Sequence, residues 1–141
     1  MILVDANILL YAYDSESPRQ GTAAAWLEHV IAEDEVGIAL TTALAFLRIG
    51  THVAVFRKPL RATEAVEIVG SWFAEPNVRL IQPTDRHWTL LSDLAQRGQA
   101  KGPLLMDAHL AALALEHGAA LCSVDRDFTR FPGLRVIDPL D

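Results

Sequence analysis

The chain has 141 residues, 15.5 kDa, 51% of them apolar and 21% charged, enough to bury one core unaided and too apolar for a disordered segment. Acids outnumber bases 18 to 12, a formal charge of −6, which excludes gripping a polyanion through overall charge but not a metal enzyme that gathers carboxylates in one place. The single cysteine, Cys122, excludes an intrachain disulfide and a thiolate zinc site. Ile2-Leu3-Val4 is a short apolar run stopped by Asp5 and predicts a buried strand. A short helix follows over Ile8 to Tyr13. Ser17-Pro18 predicts an N-cap and first helical proline for a helix carrying Ala23, Ala24, Trp26, Leu27, Val30 and Ile31. That helix ends in the solvated turn Glu33-Asp34-Glu35, and Val36 to Leu40 predicts a second strand.

Thr41-Thr42 predicts the cap of a third helix over roughly 42 to 56, broken by Lys58-Pro59. Thr63 predicts the cap of the next, with Ala65, Val66, Val69, Trp72 and Phe73 on one face. Val78 to Ile81 reads as a strand, Thr84 as the cap of a helix to about Arg97, and Gly98 to Pro103 as a loop. Met106 to His117 is an apolar helix with Gly118 past its end. Ala120 to Val124 and Leu134 to Ile137 complete five predicted strands. Strands alternate with helices, so the expected fold is α/β: one domain over 1–141, a mainly parallel sheet with helices on both faces. In such folds sites form at the carboxyl ends of strands. Trp26, Trp72 and Phe73 are expected in the core, Trp88 in the core or an interface, and Tyr11 and Tyr13 facing a partner or a neighbouring subunit. Cys122 reads as a small buried apolar residue. The start, Met1 to Asp5, has no basic leader, and no apolar run reaches the about 20 residues of a membrane span. A soluble protein of a reducing cytoplasm is the expectation.

Three acids stand against apolar stretches. Asp5 follows the first strand, Asp125 follows the fourth, and Asp107 opens an apolar helix. Each has a local alternative: Asp107 as a first-turn acid favoured by the helix dipole, Asp125 and Asp127 as turn residues, Asp5 as a cap. Together they suit a hard divalent cation, which takes oxygen ligands and keeps waters. Such a cation acidifies water and neutralises charge in phosphodiester displacement. The five histidines show no His-x-x-x-His pair, which argues against zinc.

Four segments in this order resemble the PIN-domain ribonucleases, and most closely the VapC toxins of VapBC toxin–antitoxin pairs. They are Val4-Asp5-Ala6-Asn7-Ile8-Leu9-Leu10, Ala45-Phe46-Leu47-Arg48-Ile49, Asp107-Ala108-His109-Leu110-Ala111-Ala112-Leu113-Ala114, and Ser123-Val124-Asp125-Arg126-Asp127-Phe128 with Phe131-Pro132-Gly133-Leu134. The resemblance implies a Mg²⁺- or Mn²⁺-dependent endoribonuclease, usually dimeric, inhibited by a VapB antitoxin and acting on RNA of the tRNA or ribosomal class. It assigns Asp5, Asp107 and Asp125 to the catalytic metal site, Asp127 as an accessory acid, and Asn7 and Ser123 as supporting residues. The family's glutamate before Phe-Leu-Arg is replaced by Ala45. Two readings stay open: a natural three-acid site, or an inactivated toxin. Both predict weaker cation binding.

Phe46 to Arg61 carries Arg48, Arg57, Lys58 and Arg61 and no acid, +4 in a chain whose total is −6, leaving −10 elsewhere. These four are candidates for RNA or antitoxin contact, against the alternative of solvated surface charge. Arg126 and Arg130 are further candidates. A non-catalytic module of the same fold, binding antitoxin or RNA, is the competing function, kept open by Ala45. An aspartyl phosphatase fits less well, since it needs a second acid two residues after the first, where Asn7 stands. A phospho-acceptor receiver fits less well still.

Overall fold

The computed structural model describes residues 1–141. Its elements in chain order are β1 (Ile2–Val4), α1 (Ala6–Tyr13), α2 (Gln20–Glu33), β2 (Val36–Ala39), α3 (Leu40–Gly50), α4 (Ala62–Ala74), β3 (Val78–Ile81), α5 (His87–Arg97), α6 (Leu104–Glu116), β4 (Ala120–Cys122), a 3-10 turn (Arg126–Arg130) and β5 (Val136–Ile137). All pairings in the five-stranded sheet are parallel, in the order β3-β2-β1-β4-β5. The chain thus builds outward from β1 on one side, then returns to build β4 and β5 on the other. The strand order reverses at the carboxyl ends of β1 and β4, the position where open parallel sheets place their sites.

Both faces of the sheet are covered at its centre, which is why β1, β2 and β4 are apolar without alternation: β2 is buried at all four positions, while the edge strand β3 carries the exposed Arg79. On one face Val4, Ile8, Leu9, Leu27, Phe46 and Trp72 pack with β2 and Cys122. On the other, Leu3, Ile81, Leu94, Phe128 and Phe131 pack with α6. Within α6, Ala108 and the unbroken run Leu110 to Ala114 are buried, as expected of a helix apolar on every side. Gly118 ends α6 with φ +65°, the left-handed closure its position predicts. Cys122 is 1% exposed and burial pushes its thiol up to about 12, so it is an inert core residue.

Several element boundaries differ from the sequence expectation. The third helix ends at Gly50, short of 56, because Thr51 Oγ1 donates to the Leu47 carbonyl at 2.7 Å and the chain turns through His52 to Phe56. Neither Thr41 nor Thr42 caps it: β2 runs straight into α3, Ala39 holds the N-cap position, and both threonines lie inside the first turn. α4 starts at Ala62, ahead of Thr63. α2 and α5 start at Gln20 and His87, because the Ser17 and Thr84 hydroxyls accept from the amides of Arg19 and Arg86 and close turns before the helices begin. α6 begins earlier than expected, at Leu104, and β4 ends at Cys122, short of Val124. Tyr13 is half-buried and packs against the core: its ring meets Phe46 edge-on at 5.7 Å and its hydroxyl accepts from Trp72 Nε1 at 3.1 Å. Tyr11 lies beneath the Arg19 guanidinium. Trp72 is core at 2% exposed, whereas Trp88 is 75% exposed and outside it.

One buried polar chain has no sequence signal. Glu116, whose side chain is fully enclosed, accepts from the Thr84 amide at 2.8 Å and pairs with His87 Nδ1 at 2.9 Å. His87 Nε2 in turn meets His109 Nδ1 at 2.9 Å. Burial, then the neighbouring His87, holds His109 below the ordinary imidazole range. The chain ties α5 to α6. His87→Leu should leave a Glu116 oxygen enclosed and unpaired, lowering stability by about 2–3 kcal/mol in urea denaturation. A loss below about 0.5 kcal/mol would show that the staple is dispensable.

Candidate metal centre

Asp5 is the residue at which β1 stops being strand. Its amide still donates to the Cys122 carbonyl at 2.9 Å, and its side chain turns back to cap α1, Oδ1 accepting from the Ala6 amide at 2.7 Å. The β1–β4 register pairs Val4 with Cys122, so Ser123 comes beside Asp5. Ser123 is 1% exposed and its hydroxyl is saturated: it donates to Asp5 Oδ2 at 2.7 Å and accepts from Asn7 Nδ2 at 3.1 Å and the Asp125 amide at 3.0 Å. One serine therefore locks the ends of β1 and β4 together. Asp125 Oδ1 accepts from the Asp127 amide at 2.9 Å, starting the 3-10 turn.

Asp107, in the first turn of α6, completes the arrangement. One carboxylate oxygen from each of Asp107, Asp125 and Asp127 lies within 4.8 Å of the others. Asp5 stands outside this tight set. It lines a small cleft of about 100 Å³ with Asp107, Thr41, Thr42 and Ala45. Asp127, expected as an accessory acid, is a full member of the cluster. Ala45 faces the same cleft as Asp5 and Asp107.

The electrostatics follow from packing like charges together. Burial, then the carboxylates of Asp125, Asp5 and Asp127, pushes Asp107 up from 3.8 to about 6, with Arg130 opposing. Burial also raises Asp5, and the Ser123 and Ala6 hydrogen bonds restrain the rise. Groups held against their preference for neutrality in this way are suited to a cation. Asn7 Oδ1 is buried without a donor beside Ser123, an acceptor that a cation-bound water would satisfy. The donor set is all oxygen and fits a hard divalent cation.

The four expected basic contacts are not brought to this cleft. Arg48, Arg57, Lys58 and Arg61 are exposed, none lines it, and Lys58 pairs with Glu16 at 3.2 Å. Arg48 is in the last turn of α3 while the cleft lies at its first, which separates residues that sequence proximity to Ala45 had joined. The cation nearest the acids is Arg130, 3.9 Å from Asp127 and donating to the Gly98 carbonyl at 2.9 Å. The sequence signal of Thr41 and Thr42 is that of caps alone, and the β2–α3 junction that brings them to the cleft with Asp5 and Asp107 leaves none.

The family model described as "PIN domain" matches residues 2–134, and the chain belongs to the PIN-domain family. Its curated relatives place it with the VapC group. Ribonuclease VapC37 of Mycobacterium tuberculosis is 41% identical over 140 residues, 99% of this chain and 97% of the relative. Ribonuclease VapC31 of the same species is 37% identical, covering 99% of both. Among solved structures, a toxin–antitoxin complex from Klebsiella pneumoniae superposes with a TM-score of 0.65 at 23% identity, covering 99% of this chain and 98% of that one.

Proposed function

We propose that this chain is the toxin of a VapBC-type pair: a Mg²⁺- or Mn²⁺-dependent endoribonuclease that cuts structured RNA of the tRNA or ribosomal class in the cytoplasm. The observation that carries this reading is the convergence of Asp107, Asp125 and Asp127 at the strand-order reversal, with Asp5 beside them. The relatives named ribonucleases over the whole chain support it.

Asp107, Asp125 and Asp127 would hold the cation, and Asp5 would complete the negative wall. The chemistry a bound divalent cation supplies here is an ionised water and neutralisation of phosphodiester charge. Ser123 fixes Asp5 and Asp125 relative to one another, so the carboxylates need little reorganisation when a cation arrives. A reversed field at the cluster then lets an acidic chain accept a polyanion locally.

A VapB-type antitoxin is the proposed partner. A cleft of about 450 Å³ between α1, α2 and α4 has an apolar floor that includes Leu27, Ile31 and Trp72 and carries Glu28 and Glu75. Such a surface suits a segment with apolar and basic side chains. Homodimerisation is proposed with it: Leu40, Leu44 and Leu80 are 55%, 52% and 43% exposed on α3 and the edge strand β3, an apolar surface that favours burial. No helix is long and apolar enough to cross a membrane.

A non-catalytic module is favoured only by Ala45, and one experiment separates the two. The chain incubated with Mn²⁺ and total tRNA should release discrete fragments, with none in EDTA or from Asp125→Asn. Metal-independent binding without fragments would overturn the nuclease reading. In RNA-binding titrations over a salt series, Arg57→Ala with Lys58→Ala should flatten the salt dependence by about two counterions if these residues track the backbone.

A further inference from the structure

The cleft that Asp5 and Asp107 line is also lined by Thr41, Thr42 and Ala45 of α3. α3 begins directly from β2, with Ala39 at its N-cap and no side chain capping it. The Leu40 amide belongs to the β2–β3 ladder, whereas those of Thr41 and Thr42 lack both an intrahelical carbonyl and a capping oxygen, at the end the helix dipole makes positive. Thr42 sits in that turn, 4% exposed. Unlike Thr51, whose hydroxyl donates to a carbonyl of its own helix, Thr42 has no hydrogen-bond partner within the chain. It lines the cleft it shares with Asp5 and Asp107. Its hydroxyl is not sealed in the core but opens to that cleft, where a ligand oxygen can reach it.

The chemistry of the two walls is complementary. Carboxylates on one side suit a cation, and amides with a hydroxyl on the other suit an anion. Ala45, one turn further along α3, keeps the second wall uncharged. A ligand that satisfies both walls is an anion carried against a cation, which describes a phosphodiester at a metal centre. We propose that the Thr42 hydroxyl and the amides of Thr41 and Thr42 donate to a non-bridging oxygen of the RNA phosphodiester, holding it against the carboxylate side. Thr42 is thus a substrate-binding residue, and the assignment rests on the nuclease reading above.

The test compares wild type, Thr42→Val, Thr42→Ser and Asp107→Asn by three readouts. These are anisotropy with a short 2′-O-methyl RNA oligonucleotide in Mn²⁺, Mn²⁺ affinity by paramagnetic resonance, and melting temperature. Thr42→Val should bind RNA about tenfold more weakly, the loss of one hydrogen bond to a charged group. Its Mn²⁺ affinity should be unchanged and its melting temperature unchanged or higher, and Thr42→Ser should recover RNA affinity. Wild-type RNA affinity in Thr42→Val, while Asp107→Asn loses Mn²⁺, overturns this inference alone. A fall in melting temperature that accounts for the RNA loss overturns it in favour of a structural role. Full Mn²⁺ affinity in Asp107→Asn, or a wild type that binds no RNA, overturns the nuclease reading and this inference with it.

Discussion

Asp107→Asn should make the metal-free protein more stable at pH 8, by about 1–2 kcal/mol, while abolishing stabilisation by Mn²⁺. The Asp107 carboxyl titrates near 6 in the fold against 3.8 in its ordinary state. The folded state therefore binds the proton more tightly than the unfolded state. Between those two values stability falls as pH rises, and the full penalty is present above about 6. Taken whole the shift is worth about 3 kcal/mol, and partial exposure to solvent reduces it to the range given. Asparagine carries no such penalty, so the gain over wild type should shrink to nothing below about pH 4.

A competing effect has the opposite sign. Asp107 lies in the first turn of α6, where an acid gains about 0.3–1 kcal/mol from the helix dipole. Repulsion from Asp125, Asp5 and Asp127 is expected to outweigh it. Mn²⁺ at a hundred times its dissociation constant should stabilise wild type by about 2.7 kcal/mol and the variant far less, inverting their order. Urea titrations in EDTA and in Mn²⁺, at pH 4 and pH 8, read all of this. A variant less stable than wild type at pH 8 in EDTA would identify Asp107 as an ordinary helix-terminal acid.

Three of the acids that converge at the cleft were legible as candidates because each stands against an apolar stretch. Asp5 stops a strand, Asp125 ends the apolar run that contains one, and Asp107 opens a helix that is otherwise core, placements that are costly without a reason. What the chain could not reveal was strand order. Parallel pairing is non-local, so nothing near Val4 announces that Cys122 will lie beside it and bring Ser123 to Asp5. For the same reason His87 and His109, on separate helices, meet without any helical spacing to betray them. Thr41 and Thr42 have the composition of a cap, and the sequence offers no sign that β2 would enter α3 without a turn. The basic run from Arg48 to Arg61 was legible as charge but not as position: it belongs to the far end of α3 and the turn beyond.

Ala45→Glu should tighten Mn²⁺ binding about tenfold or more, because a fourth carboxylate would enter the cleft lined by Asp5 and Asp107. The same change adds a like charge to a crowded set, so the metal-free protein should lose about 1 kcal/mol at pH 8, and Asp107 should titrate above 6. Cleavage of tRNA at low Mn²⁺ should rise with metal occupancy. At saturating Mn²⁺ occupancy no longer differs, and the glutamate then stands on the α3 wall beside Thr42, where it opposes an arriving phosphate. RNA affinity should fall there even as metal affinity rises. Titrating both ligands separates a three-acid site from an impaired one. If wild type at saturating Mn²⁺ cuts as fast as Ala45→Glu, then Asp107, Asp125 and Asp127 with Asp5 form a complete centre, and Ala45 sets only the metal concentration it needs. If the variant remains faster at saturation, the missing carboxylate has a role in the reaction itself. Unchanged Mn²⁺ affinity in a folded variant would instead remove position 45 from the metal centre, whatever the resemblance implies.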